Sequence, residues 1–489
     1  VTSAVSTAPG NPQDDRAFFG HPRGLGLLFV AEMWERFSYY GMRALLVLYL
    51  VNAVGWKDAD AYRLYGTYTG MVWLTPMIGG FIADRYLGTH RSLLIGGAII
   101  ALGHFVLALP GMSAFYAGLI LVVLGTGLFK PNASTMVGQL YQAGDPRRDA
   151  GFTIFYMGIN LGGTLGPIIC GNLRRDVGWH AGFAAAGVGM TLGLIMYAFA
   201  KRKYLGDIGN APSAQREAVT AESAANAIKP MHGVIGAVIG GALGWFTGSG
   251  DWAATLTGVI TGASMAMAIL SSHGAERTRV IALCLIVAFV TVFWVAYEQA
   301  GSSMNIFADR HTDLMAFGSR HTPEWFQTIQ PGSLLILAPI MAGVWQFLAA
   351  RGKEPSTALK VALGLIVIGL GFLCMVSAGR AVDGGAKVSG YFLVITYVLS
   401  EVGELMVSPV GLSYVTKVAP ARLGALMMGV FFLSNSAANK IAGMLAEVSA
   451  TMTSQASFYM IPVVTSIGAG LLLILLVPVL KKMTAGVAA

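Results

Sequence analysis

Two glutamates, two arginines and two tyrosines fall within one short stretch, Glu32-Met-Trp-Glu35-Arg36-Phe-Ser-Tyr39-Tyr40-Gly-Met-Arg43. Carboxylates next to guanidinium groups can pair internally, take up a proton, or bind the opposite charges of a ligand. The stretch sits in an apolar run, with Leu25–Val30 before it and Ala44–Val51 after it. A charge at the centre of a membrane span costs roughly 2.5–3.5 kcal/mol on insertion scales, so ionisable residues there mark functional positions by default.

Helical geometry puts these groups together. With Glu32 at zero and about 100° per residue, Glu35 falls near ~300°, Arg36 near ~40°, Tyr39 near ~340°, Tyr40 near ~80° and Arg43 near ~20°. Acids, bases and tyrosines share one face, and Glu32 and Arg36 stand at i,i+4 with the acid first, the favourable order. Met33, Phe37, Ala44 and Leu48 form the other face. The charged face must meet protein or water, not lipid.

Other spans carry isolated charges. Lys130 lies in Gly125-Thr-Gly-Leu-Phe-Lys130-Pro-Asn132. It is too near mid-span to snorkel easily. It needs an acid from another helix, with Glu32 or Glu35 as candidates, or must lose its proton. Pro131 permits local distortion beside it. Glu298 stands alone in Phe293-Trp294-Val-Ala-Tyr-Glu298-Gln-Ala-Gly-Ser-Ser303, with Trp294 one turn away. Burial and a nearby arginine would pull such a carboxyl in opposite directions, as a proton carrier requires. Glu401 and Glu404 stand at i,i+3 before Pro409, where a kink is expected, and could hold a cation or an ammonium. Asn160 lies among Gly158, Gly162 and Gly166, a close-packing stripe, and by itself is as well read as helix-packing glue. His104 has no clustered partner and reads as a satisfied core histidine.

The elements that must position these residues are membrane helices. The chain has 489 residues, 55% hydrophobic and 11% charged, against about 25% charged in soluble proteins. Apolar runs of spanning length are expected at Gly24–Val54, Tyr62–Asp84, Ser92–Leu109, Ala114–Leu140, Gly151–Leu173 and Gly182–Ala200. A polar linker follows from Lys201 to Ala227, then a shorter pair, Val234–Phe246 and Trp252–Leu270. Six more are expected at Val280–Phe307, Trp325–Ala349, Ala358–Ala378, Gly390–Val415, Gly424–Leu445 and Phe458–Leu480. The six-two-six pattern predicts an all-α polytopic protein with two pseudo-equivalent bundles around a central path. The bundles are expected at 24–200 and 280–482, with 1–23 and 483–489 as cytoplasmic ends and 201–279 as linker plus inserted pair. Gly236, Gly240, Gly244 and Gly248 in that pair predict a packing or dimerisation face.

The net charge of +8 comes mostly from bases in short loops. Arg85, Arg91, Arg147, Arg148, Lys201–Lys203, Arg351, Lys353, Lys481 and Lys482 share one side if both termini are cytoplasmic. Arg174 and Arg175 go against that rule. Nucleic acid is not an expected partner. Cys170, Cys284 and Cys374 show neither disulfide nor metal spacing, and the polar start shows no cleavable signal. No HExxH, GxSxG or Walker A run is present, so an enzyme is not expected.

The ExxER pattern of Glu32, Glu35 and Arg36, with the following Phe-Ser-Tyr-Tyr-Gly-Met-Arg, resembles the proton-dependent oligopeptide transporter family of the major facilitator superfamily. Gly79-Gly-Phe-Ile-Ala-Asp84-Arg-Tyr-Leu-Gly88, Phe129-Lys-Pro-Asn132, Phe155-Tyr-Met-Gly-Ile-Asn-Leu-Gly162, Glu298-Gln-Ala-Gly-Ser-Ser303 and Gly403-Glu-Leu-Met-Val-Ser-Pro409 agree, and span both halves. The inserted pair resembles bacterial members. The resemblance implies import of di- and tripeptides across a bacterial inner membrane, driven by the proton gradient with no cofactor. It implies that Arg43 and Lys130 hold the peptide carboxylate and Glu404 the ammonium. Tyr40 and Asn160 would bond the peptide backbone, with Tyr39, Trp294 and neighbouring aromatics lining the pocket. Glu32, Glu35 and Glu298 would be proton-linked, Arg36 their counter-ion, and Asp84-Arg85 part of a cytoplasmic gate motif.

Three positions depart from the pattern. Trp73 stands where a pocket tyrosine is common, Gln330-Pro331 where Asn-Pro is common, and Phe431-Phe432 where Trp-Phe is common. These put side-chain preference in question. The expected coupling is a competition for Arg43: ionised Glu298 pairs with it, and protonation frees it for the peptide carboxylate, while the ExxER acids do the same for Lys130. The rival expectation is a related carrier of nitrate or another small solute, against which an acid such as Glu404 argues.

Overall fold

A helix bearing four charges can cross a membrane only when other helices surround it. That is the place of α1 (Arg23–Asn52), where only the terminal residues Arg23 and Asn52 are exposed. The computed structural model describes residues 12–142, 144–212, 230–420 and 423–485. After α1 come α2 (Asp58–Ile82), α3 (Thr89–Leu107), α4 (Met112–Gln139), α5 (Arg148–Asp176) and α6 (Trp179–Tyr204). The inserted pair is α7 (Pro230–Thr247) and α8 (Trp252–Leu270). Then follow α9 (Gly274–Tyr297), the short α10 (Ser303–His311), α11 (Ile329–Ala350), α12 (Thr357–Asp383), α13 (Tyr391–Val418), α14 (Gly424–Ser449) and α15 (Gln455–Met483). Apart from α10, that is fourteen long helices among the described residues. The only strands among the described residues are two-residue pieces, Thr312–Asp313 with Val388–Ser389 and Met315–Ala316 with Ser319–Arg320.

The fold is that of a polytopic, all-α membrane protein. Ten described helical segments are long and apolar enough to span a bilayer. Their outward side chains are apolar, among them Leu102, Leu124, Phe199, Ile336 and Leu475, as lipid contact requires. The expected linker residues from 213 to 227, the first part of the N-terminal segment (1–11) and the last tail residues (486–489) lie outside the described residues. The chain divides into two compact units: Val1–Met42 with Thr75–Ala218, and Arg43–Leu74 with Val219–Ala489.

In the first unit, close approach depends on missing side chains. A Cβ on Gly158 of α5 would stand 2.9 Å from the Phe29 carbonyl oxygen, and one on Gly166 would stand 2.5 Å from that of Phe37. On Gly162 it would overlap the Met33 carbonyl. The stripe therefore seats α5 directly on the α1 backbone. On α6, Gly189 and Gly193 receive Phe37 and Trp34 in the same way. The apolar face of α1 thus meets protein, as its charged face must. Between α2 and α4, Pro131 lacks the N–H that would bond the Gly127 carbonyl, and that carbonyl abuts Gly79. The Thr75 hydroxyl donates to the Val123 carbonyl at 3.0 Å alongside. The helix continues through Pro131, and the Asn132 side chain donates to the Leu128 carbonyl at 2.6 Å. Arg174 and Arg175, anomalous by the charge rule, are engaged locally: Arg174 lies 5.0 Å over the Trp179 ring and Arg175 pairs with Asp176 at 2.7 Å.

In the second unit, residues 43–74 are bound to the later helices by polar contacts. Asp58 pairs with Arg310 at 2.6 Å and Arg63 with Glu447 at 2.8 Å. Gly66 and Gly443 lie backbone to backbone, and Ser436 donates to the Gly70 carbonyl at 2.8 Å. The expected span Val280–Phe307 is interrupted. Helix α9 ends at Tyr297, a 3₁₀ turn covers Glu298–Gly301, and α10 restarts at Ser303. The turn persists because its polar groups are bonded elsewhere. The Gln299 amide donates to the Ala442 carbonyl at 3.1 Å and its oxygen accepts from Ser303 at 2.7 Å. A side chain at Gly301 would overlap Tyr65.

The glycine file of α7 is filled from within the inserted pair. Gly236 and Gly240 face Gly262 and Gly258 of α8, and Gly244 faces Ala254. The dimerisation alternative is thereby corrected, because α8 already occupies that face. Asp251 in the intervening loop caps α8 through the Ala253 and Ala254 amides and pairs with Lys440 of α14 at 2.8 Å, while Lys440 also donates to Thr67 at 2.8 Å. Burial works to raise the Asp251 carboxyl's pKa, but the Lys440 and backbone bonds outweigh it and hold it below the ordinary carboxylate value.

Close helix packing predicts position-dependent tolerance. Gly162→Ala forces a Cβ into the Met33 carbonyl and should cost at least about 1–3 kcal/mol, the range for overpacking. Gly468→Ala in α15 meets open space. Thermal unfolding in detergent should show a clear drop in Tm for the first and none for the second; equal Tm values would refute the packing account.

Candidate functional site

In the first unit, α1 gathers Glu32, Glu35 and Arg36 in complete burial, at 2%, 0% and 2% exposure. The Arg36 Nε lies 3.2 Å from Glu32 Oε1 and also bonds the Glu35 carboxylate. The guanidinium stands 5.3 Å from the Tyr39 ring centroid, within cation–π range. Glu32 Oε2, Glu35 Oε1 and Arg36 Nη2 have no hydrogen-bond partner among the described residues. Two carboxylates facing one guanidinium leave an excess negative charge, which a buried site must offset with a proton or another cation. Lys130 of α4 is half-buried and lies within electrostatic range of Glu32.

The other expected residues of this unit are placed as follows. Tyr39 is buried and Tyr40 half-buried. Asn160 is buried, and its amide donates to the Tyr156 carbonyl at 2.9 Å in its own helix. Asp84 and Arg85 are exposed on a π-helical turn, Ala83–Leu87, that closes α2; such turns recur at functional positions. His104 is fully buried, but neither ring nitrogen has a partner among the described residues, so the reading as a satisfied histidine is corrected.

In the second unit, Arg43 and Glu298 form an ion pair of 3.1 Å, at 4% and 3% exposure. The 3₁₀ turn places Glu298 there, and the Tyr65 ring lies 5.9 Å from the Arg43 guanidinium. Trp294 packs edge-on against Tyr297, with centroids 4.9 Å apart. Its indole nitrogen is buried without a partner among the described residues. The Tyr297 hydroxyl donates to Glu401 Oε1 at 2.5 Å. Glu401 and Glu404 are both buried, at 0% and 6% exposure. Gln330 is buried in the first turn of α11, where Pro331 removes no intrahelical bond. Phe431 is buried against Gly411, and Trp73 is half-buried.

Lys440 is a charged residue that sequence reasoning passed over, as it did the buried Lys360 and Glu324. It is 2% exposed and bonded to Asp251 and Thr67. Its signal was available, since a lysine inside an apolar span is as informative as Lys130. The Tyr297–Glu401 bond had no comparable signal, because the two residues come from distant helices.

Known proteins resemble this chain over nearly its whole length. The PTR2 sequence family, described as the POT family, matches residues 90–464. The uncharacterized transporter YclF of Bacillus subtilis strain 168 is 40% identical over 96% of this chain and 97% of its own. A di-/tripeptide transporter of Lactococcus lactis subsp. cremoris is 35% identical over 96% and 98%. A crystal structure of a peptide transporter, POT, in complex with alafosfalin superposes with a TM-score of 0.83, at 37% identity over 97% of this chain and 98% of that one. With matches over almost the entire chain, this chain belongs to the POT family: it is a membrane transporter, not an enzyme.

Proposed function

We propose that the protein imports di- and tripeptides together with protons across a bacterial inner membrane, both termini being cytoplasmic. The observation that carries this reading is the buried Arg43–Glu298 pair. A buried base joined to a buried acid is stable as it stands, and removing one partner alone leaves an uncompensated charge. Protonating Glu298 removes that partner. A peptide carboxylate then supplies Arg43 with a new one, so the proton and the peptide stabilise the same state. The relatives named as peptide transporters support the substrate class.

The remaining roles rest on charge for Glu404 and Lys130 and on the family resemblance for the others. Glu404 accepts the peptide ammonium, and Lys130 adds a second base for the carboxylate. Tyr40 and Asn160 bond the peptide backbone. Tyr39, Trp73, Trp294, Gln330 and Phe431 shape the side-chain space. Glu32, Glu35 and Arg36 form the second proton-linked group, and Asp84-Arg85 act in the cytoplasmic gate. Alternating access uses the bundles 24–200 and 280–482, with 201–279 inserted between them in the sequence. A ligand shifts that equilibrium only by its differential affinity for the two states, and a zwitterion satisfying a base and an acid at once has one. No cofactor takes part; the proton gradient supplies the driving force.

A competition assay on purified protein should show displacement of labelled dialanine by unlabelled dialanine and not by nitrate; the reverse pattern overturns the substrate class. In proteoliposomes, Glu298→Gln should lose acid-driven accumulation of dialanine while keeping counterflow exchange. Normal accumulation by that variant would remove Glu298 from coupling. Glu404→Gln should weaken dialanine by about 10- to 100-fold, since a hydrogen bond to a charged group contributes about 1.5–3 kcal/mol. An N-acetylated analogue should lose far less, and equal losses would take the ammonium away from Glu404.

A further inference from the structure

Three elements meet at one buried ammonium that the transport scheme does not use. Lys440 of α14 is 2% exposed. Its Nζ donates to Asp251 Oδ2 in the α7–α8 loop and to the Thr67 hydroxyl of α2, both at 2.8 Å. Asp251 is fixed from behind, because its Oδ1 accepts from the Ala253 and Ala254 amides at 2.8 and 2.9 Å. Helix α8 packs on α14 and on α9. Around the ammonium, α2 lies on α14 through Gly66 against Gly443 and through the Ser436 hydroxyl, which donates to the Gly70 carbonyl. Arg63, the other base within electrostatic range of Asp251, is bonded to Glu447 of α14 at 2.8 Å. Glu447 is thus engaged, and Asp251 is the acid that Lys440 holds.

The two bonds of Lys440 are unequal. The one to Asp251 joins opposite charges in a buried place, and a bond between charged groups is roughly twice as strong as a neutral one. The one to Thr67 has a neutral acceptor. Without the Asp251 charge, the ammonium would be buried with no counter-ion, which is strongly unfavourable. Alternating access separates the bundle that contains α2 from the bundle that contains α14. Thr67 then leaves with α2, whereas Asp251 belongs to a helix pair seated on α14.

We infer that the inserted helix pair serves as a counter-ion carrier for the α2–α14 seam: Asp251 travels with α14, stays paired with Lys440 in both access states, and holds the ammonium on Thr67 when the seam is closed. This inference rests on the alternating-access reading above. Opening then breaks a bond to a hydroxyl and leaves the ion pair intact. The closed seam, where Lys440 has no water, depends on Asp251 more than the open one does.

The test uses spin-label distances in the full-length protein, with the three native cysteines replaced by alanine and dialanine uptake retained. Labels go on the exposed positions Lys57 before α2, Thr247 at the end of α7 and Thr451 after α14. Distances are recorded with and without dialanine, at acidic and neutral pH. The 57–451 pair is expected to show two populations whose weights respond to these conditions, and the 247–451 pair a single constant distance. Asp251→Asn keeps a good helix cap and removes only the charge. It should raise the ratio of open to closed seam by at least about tenfold, and adding Lys440→Met should return that ratio to within about threefold of wild type. Thr67→Val should shift it the same way by about three- to tenfold, the worth of one hydrogen bond. Thr67→Val and the double variant carry the test should Asp251→Asn alone not fold. A 247–451 distance that changes along with 57–451 would overturn the inference, because the inserted pair would not travel with α14. Unchanged populations in Asp251→Asn, even with a lowered Tm, would also overturn it, leaving a purely structural ion pair. A 57–451 distance indifferent to peptide and acid would instead sink the alternating-access reading and the inference with it, so the two failures are distinguishable.

Discussion

Charge has to be neutralised where it is buried, and this constraint shapes most of the structure. Lipid offers no solvation to an ion, so each acid and base inside the helices must find its partner on the protein. Arg36 holds two carboxylates on its own helix. Arg43, two turns on, instead takes Glu298 from a different helix. Lys440 reaches Asp251 in a loop far away in sequence and thereby ties the inserted pair to α14. Removing either partner of such a pair is more disruptive than removing both. The helices are consequently held in register by electrostatics as well as by packing.

Glycine makes those partners reachable. A guanidinium can meet a carboxylate on another helix only when the backbones come close. The α5 stripe of Gly158, Gly162 and Gly166 lays that helix on α1 beside the Glu32–Arg36 cluster. Gly79 against the Gly127 carbonyl sets α2 beside α4 at the turn that carries Lys130. There Pro131 has a positive role, because the carbonyl it leaves without an intrahelical donor lies in the tight crossing. In the second unit the absence of a side chain at Gly301 makes room for Tyr65, and so for the ring beside Arg43.

Residues that break the rules of a membrane span were the legible ones. Glu32, Glu35, Arg36, Arg43, Lys130, Glu298, Glu401 and Glu404 stand out because lipid tolerates none of them alone. The helices were legible for the same reason in reverse, as long stretches with nothing to break them. The expected pairs of Arg36 with Glu32 and of Arg43 with Glu298 are present, but other contacts between distant helices were left open. Nothing in the residues around Glu401 indicates Tyr297 as its donor, since that contact depends on how two distant helices rotate. The α7 glycine file was visible, but spacing alone cannot distinguish a partner helix in the same hairpin from a second chain. The break at Glu298 was hidden because Ala296 to Gly301 is compatible with a helix; tertiary bonds from Gln299 and the closeness of Tyr65 select the turn.

The buried clusters differ in how many bases face their acids, and the differences suggest what each awaits. Arg43 and Glu298 are one to one and balanced. Their pair can open without a charge penalty only if Glu298 gains a proton and Arg43 gains an anion together. Arg36 serves two glutamates, so that cluster lacks one positive charge, which a proton or the nearby Lys130 supplies. If Lys130 turns to a ligand carboxylate, the proton must make up the difference. Glu401 and Glu404 are two buried acids one turn apart on α13, and on the proposed reading Glu404 meets the peptide ammonium. On the proposed reading, the proton and the two ends of a peptide zwitterion match these separate deficits. Neither alone balances all of them, and a state that tolerates no unbalanced buried charge is populated only when both are bound. Coupling then needs no dedicated lever between proton and peptide, because charge balance in a low-dielectric interior already makes each the condition for the other.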